Sequence, residues 1–165
     1  MADKDPQQIE ARLWKDLEDH RVRMLGLAGG KPHQLQPMTA FWDEETRSLW
    51  FYTAKDTDLL REVGAGGAGQ FVFINKDHSL WASLGGELSE ENDRGRIDKF
   101  WSPFVAAWFP DGKDDPKLTL LRFHPTDADV WINDKGPVRF GLEILKGNAP
   151  GKTADGGARE HLKLG

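Results

Sequence analysis

The feature that most constrains the fold of this chain is a succession of short β-rich segments separated by close breaks, with few helical stretches between them. Such a pattern favours an antiparallel β-barrel over a parallel sheet built from βαβ units. The predicted strands are residues 22 to about 29, Leu35–Trp42, Leu49–Thr53, Gln70–Asn75, Leu80–Leu88, Leu118–His124, Val130–Asn133 and Val138–Leu145.

The first predicted strand follows a predicted helix. Asp5 is placed to cap that helix, Pro6 suits its first position, and Ile9, Leu13 and Leu17 recur on one stripe. After His20 the period changes to two, so that Val22 and Met24 alternate with Arg21, Arg23 and Leu25. In the second strand Pro37 predicts a position at a sheet edge or a bulge.

Two further helical regions are predicted. Thr57 is a suitable cap for a short helix over Asp58–Val63, which ends at Gly64. A longer apolar stripe runs from about residue 92 to residue 108. Because Pro103 does not fit the interior of a helix, Ser102 as a cap and Pro103 as a first residue predict two short helices in series.

The composition bounds the class of protein. With 165 residues and no cysteine, the chain suits one domain without disulfides or thiolate metal sites, and we expect a cytoplasmic location. We predict a single domain over residues 1–147 and a loose tail over residues 148–165, which is rich in Gly, Lys and Ala. The polar N-terminal segment, the lack of a long apolar run and a net charge of −5 argue against a signal peptide, a membrane span and nucleic-acid binding.

Three tempting motifs lack the context that their chemistry needs. Gly64–Gly69 matches G-x-G-x-x-G, but a helix precedes it and a strand follows it, the reverse of the dinucleotide-binding order. The five His residues share no metal-ligand spacing, and the acidic loop Asp111–Asp115 lacks the Gly and Glu of a calcium loop, so we predict no metal site. No nucleophile elbow of the G-x-S-x-G type is present.

A more specific signal comes from motifs that occur in a fixed order over roughly residues 5 to 135. These motifs are Gln36-Pro37-Met38-Thr39 followed by Asp43, Ser48–Thr53, Ser83-Leu84-Gly85-Gly86, Lys99–Pro103, Ala107–Gly112, Asp114-Asp115-Pro116, Leu120-Leu121-Arg122 and Val130-Trp131. In this series the chain resembles the general stress protein branch of the pyridoxamine 5′-phosphate oxidase-like superfamily.

The resemblance implies a mainly β fold, a six-stranded antiparallel split β-barrel with peripheral helices. It also implies a homodimer with FMN, or alternatively FAD, bound at the subunit interface. By this resemblance the cofactor-binding candidates are Gln36, Pro37, Met38, Thr39, Phe51, Tyr52, Thr53, Lys55, Thr57, Leu59, Trp101 and Trp108. The backbone of the Pro37 strand would address the flavin ring, and hydroxyls and cations near Thr57 would meet the phosphate.

Each assignment has a structural alternative. Met38 and Phe51 suit a core as well as a cofactor wall, Thr57 suits a helix cap, and Trp101 and Trp108 suit a dimer interface without flavin contact. Two positions depart from the family, which usually has Arg in place of Gln36 and Lys in place of Leu59.

The leading functional hypothesis is a flavin-dependent oxidoreductase of unknown substrate. No side chain can be assigned a catalytic role from the sequence, so the catalytic residues are unknown. The alternatives are a non-enzymatic flavin-binding or sensor protein, and a degenerate dimeric module that has lost the ligand.

Overall fold

The computed structural model describes residues 5–30, 34–133, 142, 144–148, 150, 151 and 157–164. Its helices include α1 (Pro6–Asp19), α2 (Asp58–Val63), α3 (Arg94–Phe100) and α4 (Pro103–Ala106). Its strands are β1 (Val22–Leu27), β2 (Gln36–Thr39), β3 (Phe41–Asp43), β4 (Ser48–Ala54), β5 (Gly67–Ile74), β6 (Leu80–Glu90), β7 (Leu118–Ile132) and β8 (Ala158–Lys163). None of the described helices is long and apolar enough to cross a membrane.

The strands form one antiparallel sheet that curls back on itself. Its order is β2-β1-β5-β6-β7-β4-β3, and β8 pairs with β7 beside this path. β2 and β3 lie at opposite ends of the order, although only Ala40 separates them along the chain. The two ends of the sheet must therefore meet at Ala40, which is the geometry of a split barrel. The predicted fold class is confirmed, with eight strands in the described residues rather than six.

Two hydrophobic cores hold the barrel and its helices. The larger core fills the barrel interior, where α1 contributes Leu13 and α2 contributes Leu59. The smaller core lies between the other face of β4 and β7 and the segment of α3 and α4, and it contains Trp50 and Ile97. Since successive strand residues point to opposite faces, β4 is apolar on both sides, which explains its continuous apolar run.

The predicted helix starts are confirmed. The side chain of Asp5 accepts from Gln7 N–H, and that of Thr57 accepts from Leu60 N–H. Ser102 accepts from the N–H of Val105, so the helical region does divide into two short helices at Pro103.

The strand predictions need three corrections. Leu35–Trp42 is two strands, β2 and β3, because the chain changes from one edge of the sheet to the other at Ala40. Leu118–His124 and Val130–Asn133 belong to one continuous strand, β7. Pro125 does not end this strand because it faces Gly86, where the β6–β7 register shifts in a bulge.

The third correction concerns the C-terminal part. The predicted strand Val138–Leu145 lies largely outside the described residues, and its described members Leu142, Ile144 and Leu145 are helical. The tail from residue 148 onward, predicted to be loose, contains β8, whose Leu162 is buried in the larger core together with Leu164. Side-chain burial in the core therefore fixes a segment whose composition suggests a loose tail.

Candidate functional site

A cavity of about 330 Å³ lies beside strand β2. One side of it is formed by β2, β3 and β4, and the other by α4 and the residues that follow α4. The described lining residues are Pro37, Met38, Thr39, Phe41, Tyr52, Thr53, Ala54, Phe104, Val105, Trp108 and Phe109. The walls are mainly aromatic and aliphatic, which suits a flat organic ligand.

The backbone of β2 gives this cavity hydrogen-bonding groups. β2 is an end strand of the sheet path and pairs with β1. The N–H of Ala40 donates to the carbonyl of Arg21 at 2.8 Å, which continues that ladder. Because antiparallel ladders alternate, the N–H and C=O of Thr39 and the C=O of Pro37 point away from β1. The edge thus offers one donor and two acceptors to a ligand beside it.

Tyr52 attaches α3, the helix that precedes α4, to the sheet. Its hydroxyl donates to the carbonyl of Ile97 in α3 at 2.7 Å. Its ring meets Trp101 edge-on at 6.1 Å and Phe41 at 5.6 Å between ring centroids. Burial, together with the nearby charge of Asp98, raises the pKa of Tyr52 above its ordinary value. Tyr52 therefore presents its ring to the cavity while its hydroxyl is engaged with α3.

The structure brings together half of the residues predicted for the site. Those that line the cavity are Pro37, Met38, Thr39, Tyr52, Thr53 and Trp108. Met38 also packs against the larger core, so this residue borders both the cavity and the core.

The other predicted residues lie around the cavity or in the core. Phe51 and Leu59 are buried in the larger core, while Trp101 is partly buried in the smaller one. Thr57 caps α2, and its Oγ1 is 3.5 Å from Oγ1 of the lining residue Thr53, so a hydroxyl pair borders the cavity at Thr53.

The last two predicted residues are chain neighbours of lining residues, since Gln36 precedes Pro37 and Lys55 follows Ala54. Lys55 is exposed, and its backbone N–H donates to the carbonyl of Lys117 at 2.8 Å. The Nε2 of Gln36 donates to Sδ of Met38 at 3.4 Å.

Sequence reasoning missed five lining residues: Phe41, Ala54, Phe104, Val105 and Phe109. Two features of the sequence could have indicated some of these residues. Phe104 and Val105 follow the cap and the proline that start α4, and Phe41 begins the strand that continues from β2. What the sequence does not reveal is that α4 folds over β2, because this is a tertiary contact.

A second cavity, of about 340 Å³, adjoins the first and shares Thr39, Phe41 and Phe104 with it. Its remaining lining is more polar and includes Glu18, Asp19, His20, Arg21 and Ser102. The guanidinium of Arg21 lies over the ring of Phe41 at 5.2 Å. A polar space therefore borders the aromatic cavity.

Comparison with known proteins agrees with this architecture. Residues 8–155 match the model of the family described as pyridoxamine 5′-phosphate oxidase like. The chain belongs to this family. The predicted resemblance is therefore confirmed at the level of the family.

Individual relatives of the chain are general stress proteins. General stress protein 26 of Bacillus subtilis is 30% identical over 142 residues, which span 82% of this chain and 98% of the relative. A crystal structure described as a general stress protein 26 from Jannaschia sp. CCS1 is similar with a TM-score of 0.78 and 35% identity, covering 95% of this chain and 99% of that one.

A third similar structure is the general stress FMN/FAD binding protein from Xanthomonas citri. Its TM-score is 0.72 and its identity 38%, with 78% of this chain and 91% of that chain covered. These similar structures thus share the fold of this chain, and one of them is described as an FMN/FAD binding protein.

Proposed function

We propose that this protein is a homodimeric flavin-binding protein that holds FMN, or alternatively FAD, in the cavity between β2 and α4. The observation that carries the proposal is that six of the residues that the sequence predicts for flavin binding line one aromatic cavity. The FMN/FAD binding relative from Xanthomonas citri adds support.

The cavity residues suit the parts of a flavin nucleotide. The edge groups of Pro37 and Thr39 match the polar edge of an isoalloxazine ring, and the aromatic walls match its faces. The hydroxyls of Thr53 and Thr57 and the ammonium of Lys55 are suited to the phosphate. When bound, a flavin would supply one- and two-electron redox chemistry, and the protein would position and shield it.

Homodimerisation is proposed from the exposed face of the helical segment. Trp108 is 73% exposed and Phe104 is 56% exposed, and both border the cavity. Large apolar side chains in this position are suited to burial by a second copy of the chain. Of the two tryptophans predicted for a dimer interface, Trp101 packs against Tyr52, so the proposed interface is centred on Trp108.

A second candidate function is non-enzymatic flavin storage or sensing. Apart from Tyr52, whose hydroxyl is engaged with Ile97, no described residue that lines the first cavity is titratable. An oxidoreductase that moves protons would need such a group from the adjoining polar cavity, from a partner or from the substrate.

The test is titration of the purified, ligand-stripped protein with FMN, FAD and riboflavin, followed by flavin fluorescence. We expect quenching and a flavin absorbance spectrum that remains with the protein after gel filtration. Absence of binding for all three flavins would refute the proposal. With bound flavin, loss of its colour on anaerobic addition of a nicotinamide cofactor supports an oxidoreductase, and unchanged colour supports a store or sensor.

A further inference from the structure

Arg23 is an unusual residue for a barrel interior. It is 7% exposed and is the one basic side chain that is buried in the described part of the chain. Its Nη1 donates to the carbonyl of Val22 at 2.7 Å, and its guanidinium carbon lies 4.6 Å from the centre of the Phe73 ring. Its Nε and Nη2 are buried without a hydrogen-bond partner among the described residues. Unsatisfied buried donors of a charged group are costly and point to a ligand.

The β1–β2 ladder places Arg23 next to the cavity strand. Arg23 is directly opposite Met38, and Leu25 is opposite Gln36. Directly opposed residues point to the same face of a sheet, so Arg23, Met38 and Gln36 share the barrel face. Diagonal neighbours in such a ladder lie about 7–8 Å apart, within reach of a long side chain. The guanidinium of Arg23 lies over Phe73 of β5, and turning across this face would bring it to its diagonal neighbour Gln36.

The predicted phosphate end lacks charge at the two positions noted above. Gln36 is neutral, and Leu59 is an apolar core residue. Among the residues assigned there, Lys55 is the cation. A dianionic phosphate is better matched by a planar guanidinium, which can donate two parallel hydrogen bonds, than by one flexible ammonium.

We propose that Arg23, which lies opposite the cavity residue Met38, is an oxyanion-binding residue and that its ligand is the phosphate group of the flavin nucleotide. This inference rests on the proposed function. The side chain turns from Phe73 toward Gln36 and exchanges a ring contact and one backbone hydrogen bond for charge-assisted bonds. In the absence of an anion, the guanidinium of Arg23 stays in its apolar surroundings beside Phe73.

The experiment compares Arg23→Met with the wild type in titrations with FMN and with riboflavin, which lacks the phosphate. We expect Arg23→Met to weaken FMN binding by about tenfold or more, since a charge-assisted bidentate contact is lost. Riboflavin affinity should stay within about twofold, well inside the tenfold effect of a lost contact. FMN binding by the variant should also depend less on salt.

Arg159→Met is the matched control. It removes the same charge from an exposed residue of β8 whose guanidinium pairs with Asp129 at 3.0 Å. FMN affinity should be unchanged in this variant, which separates a local contact from a general effect of net charge.

Two outcomes overturn the inference while flavin binding itself stands. One is equal FMN affinity in the wild type and Arg23→Met; the other is an equal loss for FMN and riboflavin, which would make Arg23 a structural residue. If the wild type binds no flavin, the proposed function fails. Inorganic phosphate then tests Arg23 alone: a rise in Tm with phosphate in the wild type and not in Arg23→Met supports it, and equal responses overturn it.

Folding of the variant is checked by urea unfolding. Replacing a poorly satisfied buried charge with an apolar side chain of similar length is often neutral or stabilising. Should Arg23→Met fail to fold, Arg23→Lys keeps the charge but loses the planar fork. Its FMN affinity should then fall with riboflavin affinity unchanged, and unchanged FMN affinity would overturn the inference.

Discussion

Arg96 of α3 donates from both Nε and Nη2 to one carboxylate oxygen of Asp43 in β3, at 3.2 and 3.1 Å. Lys99 donates to the other oxygen, and Thr46 donates its hydroxyl to the first at 2.6 Å. The side chain of Asp43 is fully buried. This carboxylate therefore fastens α3, and with it the helical wall of the cavity, to the end of the sheet.

We expect Asp43→Asn to lower the free energy of unfolding by about 2 kcal/mol or more, because it leaves partners of a buried charge uncompensated. Urea unfolding measures the change. Glu45→Gln is the control, since Glu45 also pairs with Arg96, at 2.9 Å, but is 75% exposed. Its effect should stay below about 0.5 kcal/mol. Equal effects of the two variants would contradict the anchoring role of Asp43.

The same carboxylate predicts a pH dependence. Burial alone would raise the pKa of Asp43, but hydrogen bonds from Lys99, Thr46 and Arg96 lower it to about 2. A carboxylate whose folded pKa lies below its unfolded value stabilises the fold above the unfolded pKa, and this contribution disappears as the pH falls through the folded pKa. The difference in unfolding free energy between the wild type and Asp43→Asn should thus be greatest at neutral pH and should shrink as the pH falls from about 4 to about 2. A difference that stays constant over this range would contradict the assignment.

Tyr52 can be titrated without interference because it is the single tyrosine of the chain. Burial and the charge of Asp98 raise its pKa, so we expect no tyrosinate absorbance near pH 10, where an exposed tyrosine is about half ionised. The same titration in urea should give the ordinary value, and Tyr52→Phe should show no signal. Since the unfolded chain loses this proton first, stability should fall as the pH rises above about 10. Ionisation near pH 10 in the folded protein would show that the Tyr52 hydroxyl is not held by Ile97.

Trp108 and Trp101 should respond to truncation in opposite ways. Trp108→Ala removes an exposed side chain, so the unfolding free energy of the monomer should change little, while dimer dissociation should become easier by about 2 kcal/mol. Trp101→Ala removes a ring packed against Tyr52 and should destabilise the fold itself by a similar amount. Sedimentation and urea unfolding separate the two effects. An unchanged dissociation constant for Trp108→Ala would remove this residue from the interface.

The sequence predicts the elements whose signals are local. Asp5, Thr57 and Ser102 each cap the helix that the sequence assigns to them, since a cap needs only its own first turn. The continuity of β7 escapes prediction because it depends on a bulge, in which β7 places one extra residue, Thr126, opposite the step from Gly85 to Gly86 of β6. At Gly86 an added Cβ would come within 2.2 Å of the carbonyl oxygen of His124, so this close approach requires glycine.

The candidate site follows the same rule. The motifs around Pro37 and Tyr52 predict the lining residues of β2 and, apart from Ala54, those of β4, whereas the contribution of α4 is a contact between distant segments. The burial of Arg23 is the least predictable feature. Within β1, the apolar Val22 and Met24 are exposed, while Arg23 and Leu25 face the interior. Hydrophobic alternation alone assigns the opposite faces.

The junction at Ala40 has a consequence for how the chain folds. β2 and β3 are neighbours in sequence, yet they join the sheet at its two ends, so the barrel closes only after the strands between those ends have paired. Until then, the outer edges of both end strands are exposed to other chains, whereas in the folded chain α4 lies over the β2 edge. Partly folded forms of this protein should therefore associate through these open edges, and crowding or heat should favour aggregation most strongly before closure at Ala40.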